Sequence, residues 1–483
     1  MAKKSIAKNY IYNLIYQMLT IVLPLITTPY LSRVLGAEAI GIYGYTLSIV
    51  TYFVLFGSLG IAMYGQREIA YVQNDKEKQS KAFWEMVIIR IVTLCIATIT
   101  FYITFCTRGD YSTYYKILIL ELIANALDIS WYFQGIEEFG KTVIRNLVVK
   151  TLSLVCIFVF VKTQEDLWKY LLIYTLANVL GNITMWLYIP KMLEKVSIKK
   201  LELKKHIKPI IALFVPQIAI QIYVVLDKTM IGNITNNMSE VGFYEQAQKI
   251  VKTLLLVVTA LGTVMSSRIA NAFAEQKKEE IKKYLSHSFR IVWFLGLPAM
   301  FGMIAVSSKF VPWFYGEGYE TVIPLINATT PIILAIGLSN VTGTQYLIQT
   351  GKQKIFTISV TVGAIVNVIF NYILIQIWGT IGAVISSVLA EFSVLAVQMV
   401  YIRKEITILD IMKSSVKYLI SSLIMYVIVL NITNFMSVSV LNTCLEAMAG
   451  MVIYFVILFI LKDEFLKGIM NQVTTKVKII LGK

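Results

Sequence analysis

Glu245, Lys249 and Lys252 stand at i, i+4 and i+7 within one long apolar run. On a helix that spacing puts all three on one face. A charge at the centre of a membrane span costs roughly 2.5–3.5 kcal/mol on insertion scales. Such a stripe is expected to face protein or a water-filled cavity, and its two ammonium groups suit an anion. Glu121, Asn125 and Asp128 repeat the same spacing in another run. Arg90, Asp128 and Lys150 each lie about seven residues, roughly 10 Å, from the same-side ends of three consecutive runs. Two readings are open for them. They form an internal ion-pair cluster, or Arg90 and Lys150 face a cavity and bind an anionic head group that Asp128 tunes. Asp227 and Lys228 are neighbours, so they point about 100° apart and cannot share one partner. They are an interfacial pair with a snorkelling lysine, or a tuning carboxylate and a cavity cation. Glu391 sits mid-run with no basic neighbour in its own helix, as a proton carrier or a partnered structural acid. Arg33 closes the first run, at the interface or in the cavity. Arg290 reads as a snorkelling residue. Asn367 and Asn371 share a face and are expected to hydrogen-bond between helices. The Asn182-Ile-Thr, Asn233-Ile-Thr and Asn237-Met-Ser triplets match the glycosylation pattern, which is too short to carry weight.

The elements that must position these groups are membrane helices. The chain is 57% hydrophobic and 15% charged over 483 residues, against roughly 25% charged in a soluble domain, and its mean hydropathy is +0.71. About fourteen runs of some twenty residues could each cross ~30 Å of hydrocarbon. They fall at 10–33, 42–65, 83–106, 113–135, 143–162, 167–189, 207–231, 241–265, 285–308, 321–349, 355–375, 380–402, 414–434 and 442–461. None alternates as a membrane barrel strand would, so the fold class is all-α integral membrane. The net charge of +16 would suit nucleic acid if it were clustered. Instead roughly 33 of the 44 basic residues fall on one side when the N-terminus is placed inside. That predicts both termini in the cytoplasm and excludes nucleic acid as a partner. The first run lacks a cleavage site and reads as an uncleaved span. Two His and four Cys at no metal-ligand spacing predict no metal and no cofactor.

Laid over the second run at an offset of 201, the eighth matches Gly41 to Gly242, Tyr43 to Tyr244, Ile49-Val50 to Ile250-Val251 and Arg67 to Arg268. Gly44, Ser48 and Thr51 of the first copy become Glu245, Lys249 and Lys252 in the second. An even number of spans in each copy makes the repeats parallel, related by an axis along the membrane normal. The expected organisation is a six-helix bundle over 1–200, a second over 201–405, and two further helices with a basic tail over 406–483. A change confined to one face is expected where that face lines a substrate cavity.

No phosphate-binding G-x-x-x-x-G-K-[ST] loop, H-E-x-x-H or G-x-S-x-G is present, and no loop is long enough to house a catalytic domain. The chain therefore reads as a transporter rather than an enzyme. The opening LPLITTPYLSRVLGAEAIGIYGYTLSIV and the following LFGSLGIAMYGQREIA resemble the start of the polysaccharide repeat-unit flippases of the Wzx type. These share a superfamily with the multidrug and toxic compound exporters and the lipid II flippases. Arg33, Leu35 and Gly36, the Gly41-Ile42-Tyr43 entry and the Arg67-Glu68-Ile69-Ala70 exit carry the likeness. The resemblance implies two six-helix bundles around a central cavity plus two added helices, in a bacterial inner membrane. It implies an undecaprenyl-pyrophosphate-linked oligosaccharide as substrate, for O-antigen or capsule, with other polysaccharide-assembly membrane proteins as partners. Cavity cations are implied at Arg33, Arg90, Lys150, Lys228, Lys249 and Lys252. Glu121, Asp128, Asp227, Glu245 and Glu391 would tune them or couple transport to protons or sodium. A multidrug exporter is disfavoured because cations outnumber acids within the spans; a lipid II flippase shares the chemistry and stays open. A membrane polymerase or ligase would need a large outer loop.

Overall fold

The computed structural model describes residues 6–403, 408–468, 470, 471 and 475. Lys3, Lys4 and the lysines of the basic tail beyond 475, which count toward the expected charge asymmetry, lie outside those residues. All regular structure among the described residues is helical, as expected of a multi-pass membrane protein. Packing divides the chain into two compact units, Met1–Gly242 and Phe243–Lys483.

The first unit opens with α1 (Ile6–Ser58) and α2 (Ile61–Tyr71). At 1.5 Å per residue, 53 residues would run about 80 Å, more than twice the hydrocarbon thickness. Its one non-helical position is Gly36, at φ 78° and ψ 172°, a conformation that only glycine adopts cheaply. The break thus separates two spans, and the helix resumes at once. Next come α3 (Lys76–Phe101), α4 (Ser112–Leu127), α5 (Ser130–Gly135), α6 (Phe139–Phe160), α7 (Leu167–Trp186), the single turn α8 (Ile189–Met192) and α9 (Lys204–Thr235). Phe83, Trp131, Tyr132 and Met185 are fully buried in its core. The Phe83 ring sits 5.7 Å from Trp131 and 5.1 Å from Tyr132. Each such aromatic pair contributes about 0.5–1.5 kcal/mol beyond its area.

The helix α10 (Met238–Thr259) carries the chain into the second unit. There follow α11 (Gly262–Ala274), α12 (Lys278–Tyr315), α13 (Val322–Thr329), α14 (Ile332–Ser339), α15 (Gln353–Trp378), α16 (Thr380–Ile402), α17 (Ile408–Phe435) and α18 (Val440–Ile460). Between α14 and α15 the backbone widens into a π-helical stretch over Asn340–Leu347. Such widened turns recur at functional sites. α15 and α16 form a tight hairpin through Gly379 at φ 57°. α17 and α18 pack on α12 through Phe294, Tyr418, Met425, Val429, Tyr454 and Leu458.

The repeat register reappears in the backbone. α1 stops before Leu59-Gly60 and α10 stops before Ala260-Leu261. Both breaks last two residues, and they are separated by the same offset of 201 that aligns the sequences. Within the first unit the matched glycines meet. A Cβ on Gly41 would overlap the Met238 carbonyl and lie 2.9 Å from the Gly242 nitrogen. A Cβ on Gly242 would overlap the Ala37 carbonyl.

Eleven helices among the described residues are long and apolar enough to cross a membrane, or twelve with the bent pair α10–α11 counted as one span. The expected fourteen is not reached by this test. α1 and α2 enter it as one segment from Val22 to Tyr71 although α1 breaks at Gly36, and α9 is not among the eleven.

Candidate functional site

In the first unit the fourth span is interrupted. Asp128, at ψ 109°, ends α4, and α5 starts two residues later. An interrupted helix leaves carbonyls without intrahelical donors, and side chains from neighbouring helices take them. Arg90 on α3 donates from Nε to the Asn125 carbonyl at 2.7 Å. Asn182 on α7 donates to the Ala124 carbonyl at 2.7 Å, and the Trp186 indole donates to the Leu127 carbonyl at 2.8 Å. The Asp128 carboxylate accepts from the Ser130 amide at 2.9 Å and lies 3.7 Å from Arg90 Nη2. Arg90 is only 3% exposed, and its Nη1 has no hydrogen-bond partner among the described residues.

Glu121 is held one turn above. The Asn178 amide donates to its Oε2 at 2.9 Å, and the Asn125 amide approaches its Oε1 at 3.4 Å. Arg145 on α6 donates to Asn182 Oδ1 at 2.6 Å. A polar seam therefore runs through α3, α4, α6 and α7. Its α7 members, Asn178, Asn182 and Trp186, were not singled out from the sequence as a set. They recur at i, i+4 and i+8, so the spacing that exposed the lysine stripe was there to find them. Asn182 matched only as a glycosylation triplet, yet it is a helix-interior donor. Lys150, on α6, is half-buried, and Arg33 is exposed three residues before the Gly36 break.

Asp227 and Lys228 lie on α9, Asp227 buried and Lys228 half-buried. Around them α9 is fastened to α1. The Tyr52 hydroxyl lies 3.1 Å from Thr229 Oγ1, and Tyr45 donates to Asn233 Oδ1 at 2.6 Å. At the far end of α9, His206 Nε2 lies 2.7 Å from the fully buried Glu85 carboxylate, and its Nδ1 lies 2.8 Å from the Tyr64 hydroxyl. Glu85 also accepts from the Glu202 amide at 2.6 Å and meets Lys205 at 3.2 Å. Burial opposes the Lys205 charge, but Glu85 and Glu202 outweigh it and hold the ammonium above its usual range. Hydrogen bonds from Lys81 and Lys205 hold the Glu202 carboxyl below its usual range.

In the second unit the stripe lies on α10 as expected, with Glu245 and Lys249 half-buried and Lys252 exposed. The adjacent face is the buried one. Tyr244, Gln246, Ala247, Gln248, Ile250 and Val251 are all buried. Tyr244 lies 3.2 Å from Ser387 Oγ on α16, and Gln248 donates to the Tyr244 hydroxyl at 3.0 Å. These contacts fix the rotation of α10, so the charges occupy the side that the second unit leaves least covered. Glu391 is buried on α16, and Asn371 donates to Asn367 at 3.1 Å along α15. A further acid, Glu446 on α18, is fully buried.

The arrangement supplies cations and hydrogen-bond donors within apolar helices, the chemistry that desolvated phosphate and sugar hydroxyls require. A protein of Escherichia coli (strain K12) named "Putative O-antigen transporter" is 24% identical over 83% of this chain and 97% of its own length. A solved structure of the lipid II flippase MurJ in an inward closed conformation aligns with a TM-score of 0.75 at 14% identity, covering 95% of this chain and all of that one. An inward-facing multidrug resistance MATE family transporter aligns with a TM-score of 0.66 at 15% identity, over 84% of this chain and 99% of its own. The MatE family model matches residues 212–373. The model described as Polysaccharide biosynthesis protein matches residues 6–268, more than half of the sequence, and the chain belongs to that family.

Proposed function

We propose that this protein is a flippase that moves undecaprenyl-pyrophosphate-linked oligosaccharide repeat units from the inner to the outer leaflet of a bacterial inner membrane. Both termini then lie in the cytoplasm. The relatives named as O-antigen transporters support the cargo class. The observation that carries the reading is the Glu245–Lys249–Lys252 stripe, on the less covered side of an apolar helix. Its two ammonium groups meet the diphosphate while the lipid tail stays in the bilayer. Arg33, Lys150 and Lys228, all of the first unit, are further candidate cations for the head group. Arg90 holds the interrupted fourth span in place and keeps its remaining Nη1 donor.

Alternating access follows from moving one repeat against the other. A head group carrying two negative charges gains about 4.6 kcal/mol on leaving through 100 mV, at about 2.3 kcal/mol per charge. Binding that fully neutralised the head group would forfeit this gain, so Glu245 beside the lysines keeps the site short of full neutralisation. Proton or sodium uptake at Glu245 or Glu391 resets the empty carrier. Replacing Lys249 and Lys252 together with Ala tests the reading in cells. Surface polysaccharide is expected to fall at matched protein levels, and unchanged output removes the stripe from the mechanism.

A further inference from the structure

Between residues 191 and 208 the chain carries seven Lys and two Glu. Residues 268–283 are basic too, but three acids stand among their five cations. There Lys277 pairs with Glu275 and Glu280, and Lys282 with Glu279. In the first stretch Lys200 and Lys205 are paired. Lys191, Lys195, Lys199, Lys204 and Lys208 are exposed and enter no ion pair among the described residues.

These lysines sit on a fixed surface. The Glu194 amide donates to Ser80 Oγ at 2.9 Å, and the Glu202 amide donates to the Glu85 carboxylate at 2.6 Å. Ser80 and Glu85 are five residues apart on α3, about 7.5 Å along its axis. Both ends of the intervening segment are therefore tacked to one helix. His206, between Glu85 and Tyr64, then sets the rotation of α9. It and Ile210 are buried on one face. Lys204, Ile207, Lys208 and Ile211, at i, i+3, i+4 and i+7, take the other face and are all exposed. On α7 the exposed Leu180, Ile183 and Leu187 lead in the same way to the exposed Lys191 on α8.

Ammonium groups that directly follow exposed apolar side chains identify the partner. An acidic protein surface would answer the lysines and leave Ile207, Ile211 and Leu187 in water. A leaflet of anionic lipid answers both, with phosphate at the level of the lysines and acyl chains below it. We propose that this face of the first unit is a docking site for anionic phospholipid. The phosphate meets Lys195, Lys199, Lys204 and Lys208, and the chains lie along Ile207 and Ile211. The site is separate from the α10 stripe and does not depend on what the protein transports.

Native mass spectrometry of the full chain in a neutral detergent, with phosphatidylglycerol or phosphatidylcholine of matched acyl chains added, tests the assignment. Phosphatidylglycerol is expected to bind more tightly than phosphatidylcholine. Replacing Lys195, Lys199, Lys204 and Lys208 together with Gln is expected to weaken phosphatidylglycerol at least about tenfold and to leave phosphatidylcholine unchanged. Replacing Lys277, Lys278, Lys282 and Lys283 with Gln removes the same charge elsewhere and is expected to leave both lipids near their wild-type values. Inorganic phosphate at the concentration of the lipid is expected not to displace it, because it offers no chains to Ile207 and Ile211. Equal affinity for the two lipids, or phosphatidylglycerol binding indifferent to the first substitution, overturns the assignment. An equal loss from the second substitution makes the effect one of net charge and overturns it too, as does displacement by inorganic phosphate. If the fourfold variant does not purify as a monodisperse protein, Lys204→Gln with Lys208→Gln decides, and undiminished binding there places the lipid elsewhere.

Discussion

Arg90 donates to the Asn125 carbonyl at 2.7 Å while its second amine faces Asp128 at 3.7 Å. One guanidinium therefore both caps the end of α4 and balances the acid at the break. Removing it exposes a buried carbonyl and leaves a carboxylate without its cation. Arg90→Ala is expected to lower stability by about 3–5 kcal/mol, the cost of breaking a buried pair from one side. Thermal unfolding of the purified protein measures it. Asp128→Asn in the same chain should recover part of the loss, because the stranded charge is gone.

The Gly41–Gly242 approach predicts a steric effect without any change of charge. Ala at either position drives a methyl group into a backbone carbonyl that cannot rotate away. Each substitution is expected to cost at least the ~1–3 kcal/mol typical of overpacking. Reduced yield of monodisperse protein reports it, with Gly302→Ala, where space is open, as the tolerated control.

Asn182 serves two partners, the Ala124 carbonyl and the Arg145 guanidinium. Asn182→Leu keeps the bulk and removes both bonds. The expected loss is about 1–3 kcal/mol for each polar group left unsatisfied. Asn182→Gln, which keeps the amide, should fall between leucine and the wild type in melting temperature.

The Glu202 carboxyl is held below its usual range by Lys81 and Lys205. A depressed acid contributes stability above its unfolded pKa and loses it as pH falls through the folded value. Stability of the protein should therefore decline on acidification below the ordinary carboxylate range. Glu202→Gln is expected to flatten that decline, and melting temperatures from about pH 7 down to about pH 2 would record the difference. An unaltered slope would mean that the two lysines do not act on Glu202 in solution.

Much of the fold was legible because membrane helices announce themselves by length and polarity. The α10 stripe was legible for the same reason, since three charges at helical spacing need no partner to be noticed. The interruption at Asp128 was not. The sequence Leu127-Asp128-Ile129-Ser130 holds no Pro or Gly, and the break is held by Arg90, Asn182 and Trp186, which arrive from other helices. Gly36 was visible as a glycine, but its role as a single-residue break between two spans was hidden by the unbroken helix on both sides. Asn178, Asn182 and Glu446 met the criterion that singled out Glu121 and Glu391, a polar or ionisable residue inside an apolar run. The amides were passed over because they carry no charge to mark their helical spacing, and Glu446 because it stands alone in its run.

The most direct test of the account is transport itself. The full chain, reconstituted in vesicles, is given a fluorescent undecaprenyl-diphosphate-linked glycan, and the fraction moved between leaflets is read by an impermeant quencher. Wild-type protein should move the lipid. Lys249→Ala with Lys252→Ala should slow it at least about tenfold, as expected when a charge-assisted contact to phosphate is lost, while Arg290→Ala stays near the wild-type rate. Equal rates for the wild type and the double variant would contradict the central claim that the α10 lysines receive the diphosphate.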